Sequence, residues 1–235
     1  MFVLRSKVTL ADASDGAVRL GVGGPAAAAC IASAFGAAPA LHRSTAIDGA
    51  TLVALPGPRF IAFVSPERAP ALWARLSSVA DVHAAGFPSW QWLTVRAAVP
   101  VITPPTQDLF IPQMLNLDAL DAVSFRKGCY TGQEIVARTQ YLGRLKERLA
   151  LAHVDAAPPQ AGARVFSAAF GDQPCGTVVN AAAAPGGGAD LLAVAQTAAI
   201  ASGALRLSAA DGPVASLLPL PYALPAAGEP RGRIA

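Results

Sequence analysis

After Gly143 the chain becomes a succession of short apolar runs, and this change of pattern constrains the fold more than any other feature. Leu145, Leu149, Leu151 and Val154 belong to one strand, which Pro158-Pro159 ends. Residues 164–167, 176–180, 191–199 and 205–207 read as further strands. Turn residues separate them, notably Pro185-Gly186-Gly187-Gly188 and Asp211-Gly212-Pro213. Several short strands at such spacing predict a small β-barrel. Residues 226–235, rich in Pro, Gly and Arg, predict a flexible tail.

Before Gly143 strands and helices alternate. Phe2, Leu4, Val8 and Leu10 face one way and Arg5, Lys7 and Thr9 the other, which predicts a half-buried strand over 2–10. Val18, Leu20 and Val22 alternate again. Gly23-Gly24-Pro25 opens a helix running through 26–35, with Pro25 in its first turn, and 37–44 reads as loop. Apolar runs at 51–55 and 59–64 flank Pro56-Gly57-Pro58, a hairpin signal. Ser65-Pro66-Glu67 predicts a helix start with Ser65 as N-cap, carrying Leu72, Trp73 and Leu76 on one face. Thr103-Pro104-Pro105-Thr106 is a rigid turn, and 111–120 predicts a short helix. Gly21-Val22-Gly23-Gly24 lacks the spacing of a dinucleotide-binding loop. The fold class is therefore α+β: an α/β region over 1–143, a barrel over 144–225 and a tail over 226–235.

Apolar residues make up 53% of the 235, ample for a core, but they do not predict a membrane segment. The longest charge-free run, 20–42, is interrupted by Gly21, Gly23, Gly24, Pro25, Gly36 and Pro39, and 191–205 is too short to span. Cys30, Cys129 and Cys175 are odd in number and far apart, which suits reduced thiols in a cytoplasm rather than a disulfide frame. No CxxC or His/Cys cluster is present, so no metal ligands are assigned. His42, His83 and His153 have no motif around them and read as surface or core residues.

One stretch is strongly polar. Between Arg126 and Arg148 six basic residues stand against Glu134 and Glu147, a net +4 in a chain whose total is +3. That single basic segment gives nucleic acid only a weak footprint. Within it, Gly128 and Gly132 permit a bend, and Thr131-Gly132-Gln133-Glu134 has the spacing of a capping box with Thr131 as N-cap. Cys129 then lies on the turn before a helix N-terminus, two residues from Lys127. A positive helix end and a nearby ammonium both favour thiolate. The same pattern also suits Cys129 as a small buried hydrophobe and Glu134 as a cap alone.

Lys127-Gly128-Cys129-Tyr130-Thr131-Gly132-Gln133-Glu134 resembles the signature of YgfZ-type folate-binding proteins, relatives of the glycine-cleavage T-protein (aminomethyltransferase). Phe110-Ile111-Pro112-Gln113-Met114-Leu115-Asn116-Leu117-Asp118 upstream, and Tyr141-Leu142-Gly143 and Lys146-Glu147-Arg148-Leu149 downstream, resemble the flanking segments. Residues 92–100 resemble the family's strand leading into the linker. T-proteins carry a pterin-contacting carboxylate at the position of Arg96, and the arginine departs from that pattern. The resemblance implies a T-protein-like folate-binding domain followed by a C-terminal barrel. Family members carry a substantial portion before the strand at 2–10, so it also implies a chain that is short at its N-terminus.

The implied cofactor is tetrahydrofolate and the implied partners are iron–sulfur proteins or their assembly machinery, with Cys129 as the functional thiol. A folate pocket needs an aromatic or apolar wall, a carboxylate or carbonyl for the pterin's amino edge and cations for the tail. Tyr130, Glu134 and Arg138 or Lys127 supply these, with Gly132 and Gln133 in the binding turn. Arg138 alone equally suits a solvated helix-face charge. Two other functions fit the residues: an aminomethyltransferase-like enzyme, against which Arg96 counts, and a module binding tRNA or an acidic protein through the basic segment.

Overall fold

The computed structural model describes residues 9–124, 127–128, 130, 132–142 and 145–225. It divides into two compact units, Met1–Ala85 and Gly86–Ala235.

In the first unit the hairpin read at Pro56-Gly57-Pro58 joins β3 (Ala50–Leu55) to β4 (Arg59–Val64), with Leu55 opposite Arg59 and Gly57 at φ 75°. β1 (Val18–Gly23) pairs with the far side of β4, and β2 (Ser44–Ile47), which begins at the last residue of the stretch read as loop, pairs with β3. The antiparallel sheet runs β1-β4-β3-β2. The β2–β3 turn is Asp48-Gly49, both at positive φ, as a two-residue hairpin turn requires. A Cβ at Gly49 would collide with the guanidinium of Arg68, which donates to the Asp48 carbonyl at 3.0 Å. α1 (Ala27–Phe35) and α2 (Ala69–Ser77) bury Cys30, Ile31, Phe35, Leu72 and Leu76 with Leu52, Ala62 and Val64 of the sheet.

Three expectations need correction here. α2 starts at Ala69 rather than at Ser65, because the Ser65 carbonyl accepts from the N–H groups of Arg68 and Ala69 in a preceding turn. Trp73 is 47% exposed, since the buried face is the i, i+4 pair Leu72/Leu76 and residue 73 points about 100° away. Thr9 and Leu10 are exposed and not in a strand; the rest of the strand read over 2–10 lies outside the described residues.

The second unit opens with α3 (Phe87–Arg96), where the family resemblance implied a strand at 92–100. Pro88 in its first turn fits a helix start, and Trp92 and Val95, three apart, share the face that packs on the barrel. The helix read over 111–120 is a chain of turns instead. Asn116 stands at φ 57°, which breaks a right-handed helix, and the Leu117 N–H reaches back to the Pro112 carbonyl.

The barrel read from the sequence is present and closed. Its strands are β5 (Glu147–Val154), β6 (Arg164–Phe166), β7 (Gly176–Ala183), β8 (Ala189–Gln196), β9 (Ala204–Leu207) and β10 (Val214–Leu218), in the order β10-β5-β8-β7-β6-β9. β8 ends earlier than expected, and Thr197–Ala201 forms a short helix, α5. The interior is filled by Val154, Val165, Val178, Leu191, Ala193 and Leu205. The outer face of β5, β7 and β8 is also covered: Leu149, Leu151, Val179, Leu192 and Val194 pack against Val95, Ala98 and Leu115. The barrel strands begin close to the change of pattern at 143, and the compact unit holding them begins at Gly86. The tail read over 226–235 lies outside the described residues.

Candidate functional site

The signature region leads into α4 (Gln133–Leu142), and Gly132 at φ 85° makes the bend that the sequence required. The capping differs from the expected box. The Gln133 side-chain Oε1 accepts from the Tyr130 N–H at 3.2 Å, and the Gln133 N–H donates to the Tyr130 carbonyl. The reach-back thus comes from Gln133, one position before Glu134. The Glu134 side chain is 85% exposed and pairs at 3.3 Å with Arg138, one turn along. Thr131, the expected N-cap, lies outside the described residues.

The Lys127 ammonium sits 4.6 Å from the centroid of the Tyr130 ring, a cation–π contact on a ring that is 38% exposed. Lys127 is therefore brought to Tyr130 and Tyr130 to Gln133 ahead of α4, while Glu134 and Arg138 pair along the helix itself. The site offers an aromatic face, a carboxylate and two cations, the donor set that a folate's ring and tail require. Cys129 lies outside the described residues. Cys30 and Cys175 are buried, and burial pushes both thiols up.

The flanking segments hold this helix to the barrel. Gln113, 2% exposed, donates its side-chain amide to the Val136 carbonyl of α4 at 2.7 Å, while its backbone carbonyl accepts from Arg148 Nη1 at 2.9 Å. Arg148, at the start of β5, grips Asp118 with both arms, at 2.7 and 3.1 Å. Asn116 donates to the Leu149 carbonyl at 3.0 Å. Tyr222 donates to the Ala98 carbonyl at 2.9 Å, and burial pushes its phenol up. The run Gln113, Asn116, Asp118 is thus a set of side chains serving backbone groups and one buried ion pair, a role that residue types alone did not reveal.

Arg96, at the end of α3, turns its charge towards the buried Asp190 of β8, with Nη1 3.6 Å from Oδ2. Asp190 was not singled out from the sequence. Among the described residues no group of three or more His, Cys, Asp or Glu is placed to hold a metal, and no helix is long and apolar enough to cross a membrane.

No protein-family model matches the chain. It is 35% identical over 230 residues to the tRNA-modifying protein YgfZ of Sodalis glossinidius, covering 95% of this chain and 69% of that one. It is 40% identical over 151 residues to the tRNA-modifying protein YgfZ of Cronobacter sakazakii, covering 63% of this chain and 45% of that one. The chain is thus matched to about half or somewhat more of the length of these relatives. Its fold resembles that of the glycine cleavage system aminomethyltransferase T from Bartonella henselae, with a TM-score of 0.56 over 87% of this chain and 59% of that one, at 18% identity. With the sequence likeness carried along nearly all of its length on a T-protein-like fold, the chain belongs to the YgfZ family.

Proposed function

We propose that this protein is a folate-binding accessory protein of a cytoplasm that uses tetrahydrofolate and the Lys127–Glu134 signature to support iron–sulfur cluster assembly or repair, and through it tRNA modification. Its partners on this reading are folate and the iron–sulfur proteins or their assembly machinery. The region 1–143 is the folate-binding part and 144–225 the supporting barrel. The observation that carries the reading is the contact of Lys127 with Tyr130 just before α4, with the Glu134–Arg138 pair on that helix, in a chain with YgfZ relatives. Tyr130 offers a stacking face, Glu134 an acceptor for the pterin's amino edge, and Lys127 and Arg138 charge for the tail carboxylates. Bound folate would supply one-carbon chemistry; Cys129 is the thiol this reading assigns to that site. The pairing of Arg96 with Asp190, where a T-protein carries a carboxylate, disfavours an aminomethyltransferase.

Calorimetry with tetrahydrofolate tests the ligand. Tyr130→Ala should weaken binding about tenfold, the loss of one aromatic stacking contact, and Glu134→Gln should weaken it without altering thermal stability. Undiminished affinity in both variants would remove the signature from the binding site.

The thiol has its own test. Cys30 and Cys175 are buried with raised thiols, so Cys129 should alkylate fastest near neutral pH in a site-resolved mass-spectrometric time course. Cys129→Ser should abolish complementation of a strain lacking the protein. Labelling no faster than Cys30, with full complementation by the serine variant, would make Cys129 a packing residue. The relatives' tRNA-linked name favours one further measurement, salt-dependent tRNA binding through the basic segment.

A further inference from the structure

The first unit holds a pocket that the functional reading does not use. It encloses about 280 Å³ between the β2–β3 turn, the strands β3 and β4, and α2. The sheet side supplies Asp48 and Val64; the helix side supplies Arg68, Ala71, Leu72 and Arg75. The latter four stand at i, i+3, i+4 and i+7, so they form one stripe along α2 and its N-cap. Val64 and Leu72, both buried, form an apolar floor.

Both cations of the stripe are held in place. Gly49, at φ 74°, makes room for the Arg68 guanidinium, which a Cβ would strike, and Arg68 Nη1 donates to the Asp48 carbonyl at 3.0 Å. Arg75 lies over the Phe35 ring, 4.3 Å from its centroid, and its Nη1 donates to Asp48 Oδ2 at 3.0 Å. Two long side chains are thus ordered before any ligand arrives, which removes part of the cost of binding.

The charges in the pocket do not balance. Two guanidiniums face one carboxylate, and that carboxylate takes a single arm of Arg75. Among the described residues the buried Nε of Arg75 has no partner, and Arg68 has no acceptor besides the Asp48 carbonyl. A guanidinium presents parallel N–H donors that match two oxygens of a carboxylate or a phosphate. Asp48, with its side chain 60% exposed, can leave Arg75 for water at little cost.

We propose that this pocket binds a small anion carried on a short apolar body. The acid group, a carboxylate or a phosphate monoester, lies between Arg68 and Arg75 in place of the Asp48 carboxylate, and the body lies on Val64 and Leu72. The volume falls just below the roughly 300–1,000 Å³ of drug-sized ligand sites, which suits a small metabolite. The pocket lies wholly within the first unit, whereas Lys127 and Tyr130 belong to the second, so it stands apart from the folate reading.

The test titrates the isotope-labelled full chain with valerate, butyl phosphate and the neutral valeramide. NMR follows the backbone N–H groups of Gly49 and Leu72 and the Nε–H of Arg75. Both acids should give saturating shifts at these signals and valeramide none; the tighter acid assigns the ligand to carboxylates or to phosphate monoesters. Arg68→Gln should weaken binding about tenfold, the loss of a charged hydrogen bond. Asp48→Asn keeps the turn, since Asn tolerates positive φ, and should tighten binding severalfold by removing the competing carboxylate. A carboxylate that only braced Arg75 would give no such gain. The site is overturned if neither acid saturates by about 10 mM, tenfold beyond a millimolar constant, or if valeramide binds equally well. An affinity that Arg68→Gln leaves unchanged, or that Asp48→Asn fails to raise, overturns it as well.

Discussion

Replacing Arg148 by alanine is expected to destabilise the second unit by about 3–5 kcal/mol, the range for breaking a buried ion pair by removing one member. Asp118 has a side chain only 4% exposed, and Arg148 holds both of its oxygens. The same guanidinium serves the Gln113 carbonyl, so its loss also frees the segment that fastens α4. For a unit of this size the thermal midpoint should fall by roughly 10 °C. Arg148→Lys should recover only part of the loss, because an ammonium cannot make the two parallel contacts. Replacing the pair together, Arg148→Met with Asp118→Leu, should be far milder than either single truncation. The exposed Glu134–Arg138 pair provides the contrast: Glu134→Ala should leave the midpoint unchanged. Thermal unfolding followed by near-ultraviolet circular dichroism measures all of these. A drop below about 1 kcal/mol for Arg148→Ala would place the Arg148–Asp118 pair with ordinary solvated ones.

The second large effect concerns β8. Successive residues of a strand face opposite sides, so in a barrel with a bare outer wall only one of Leu191 and Leu192 would be buried. Here both are fully buried, Leu191 inside the barrel and Leu192 against Val95 and Leu115 on its outer wall. Leu191→Ala and Leu192→Ala should therefore each cost about 2–5 kcal/mol, the range for a buried leucine that leaves a cavity. Urea titration of the two variants gives the values. If Leu192→Ala costs under about 0.5 kcal/mol, as an exposed position does, the outer layer formed by α3 and the 110–118 segment is not packed on the barrel.

The strand content after Gly143 was legible because turn residues and apolar runs act locally: Pro185-Gly186-Gly187-Gly188 and Asp211-Gly212-Pro213 can only be connections. The hairpin at Pro56-Gly57-Pro58 and the bend at Gly132 were legible for the same reason. α3 was misread through the family likeness, although its proline at the start and its Trp92/Val95 spacing already favoured a helix. The turns over 111–120 were misread because Asn116 adopts a left-handed conformation to donate to the Leu149 carbonyl, a partner 33 residues away. At the signature, the residue types suited to a folate were legible, whereas the shift of the helix cap from Glu134 to Gln133 required the helix start to be fixed to one residue.

The sequence by itself determined the α+β class, the existence of a barrel and the position of the signature turn. Each follows from neighbours a few residues apart, through backbone preference, alternation and charge. The tertiary structure alone decided that Arg96 meets Asp190, that His153 lies between two carboxylates, and that Arg148 grips Asp118. Those contacts depend on strand register and on where α3 and the 110–118 segment come to rest. A polar side chain carries no local mark of the partner it will meet: nothing beside Arg148 in the sequence announces the buried carboxylate that requires its charge.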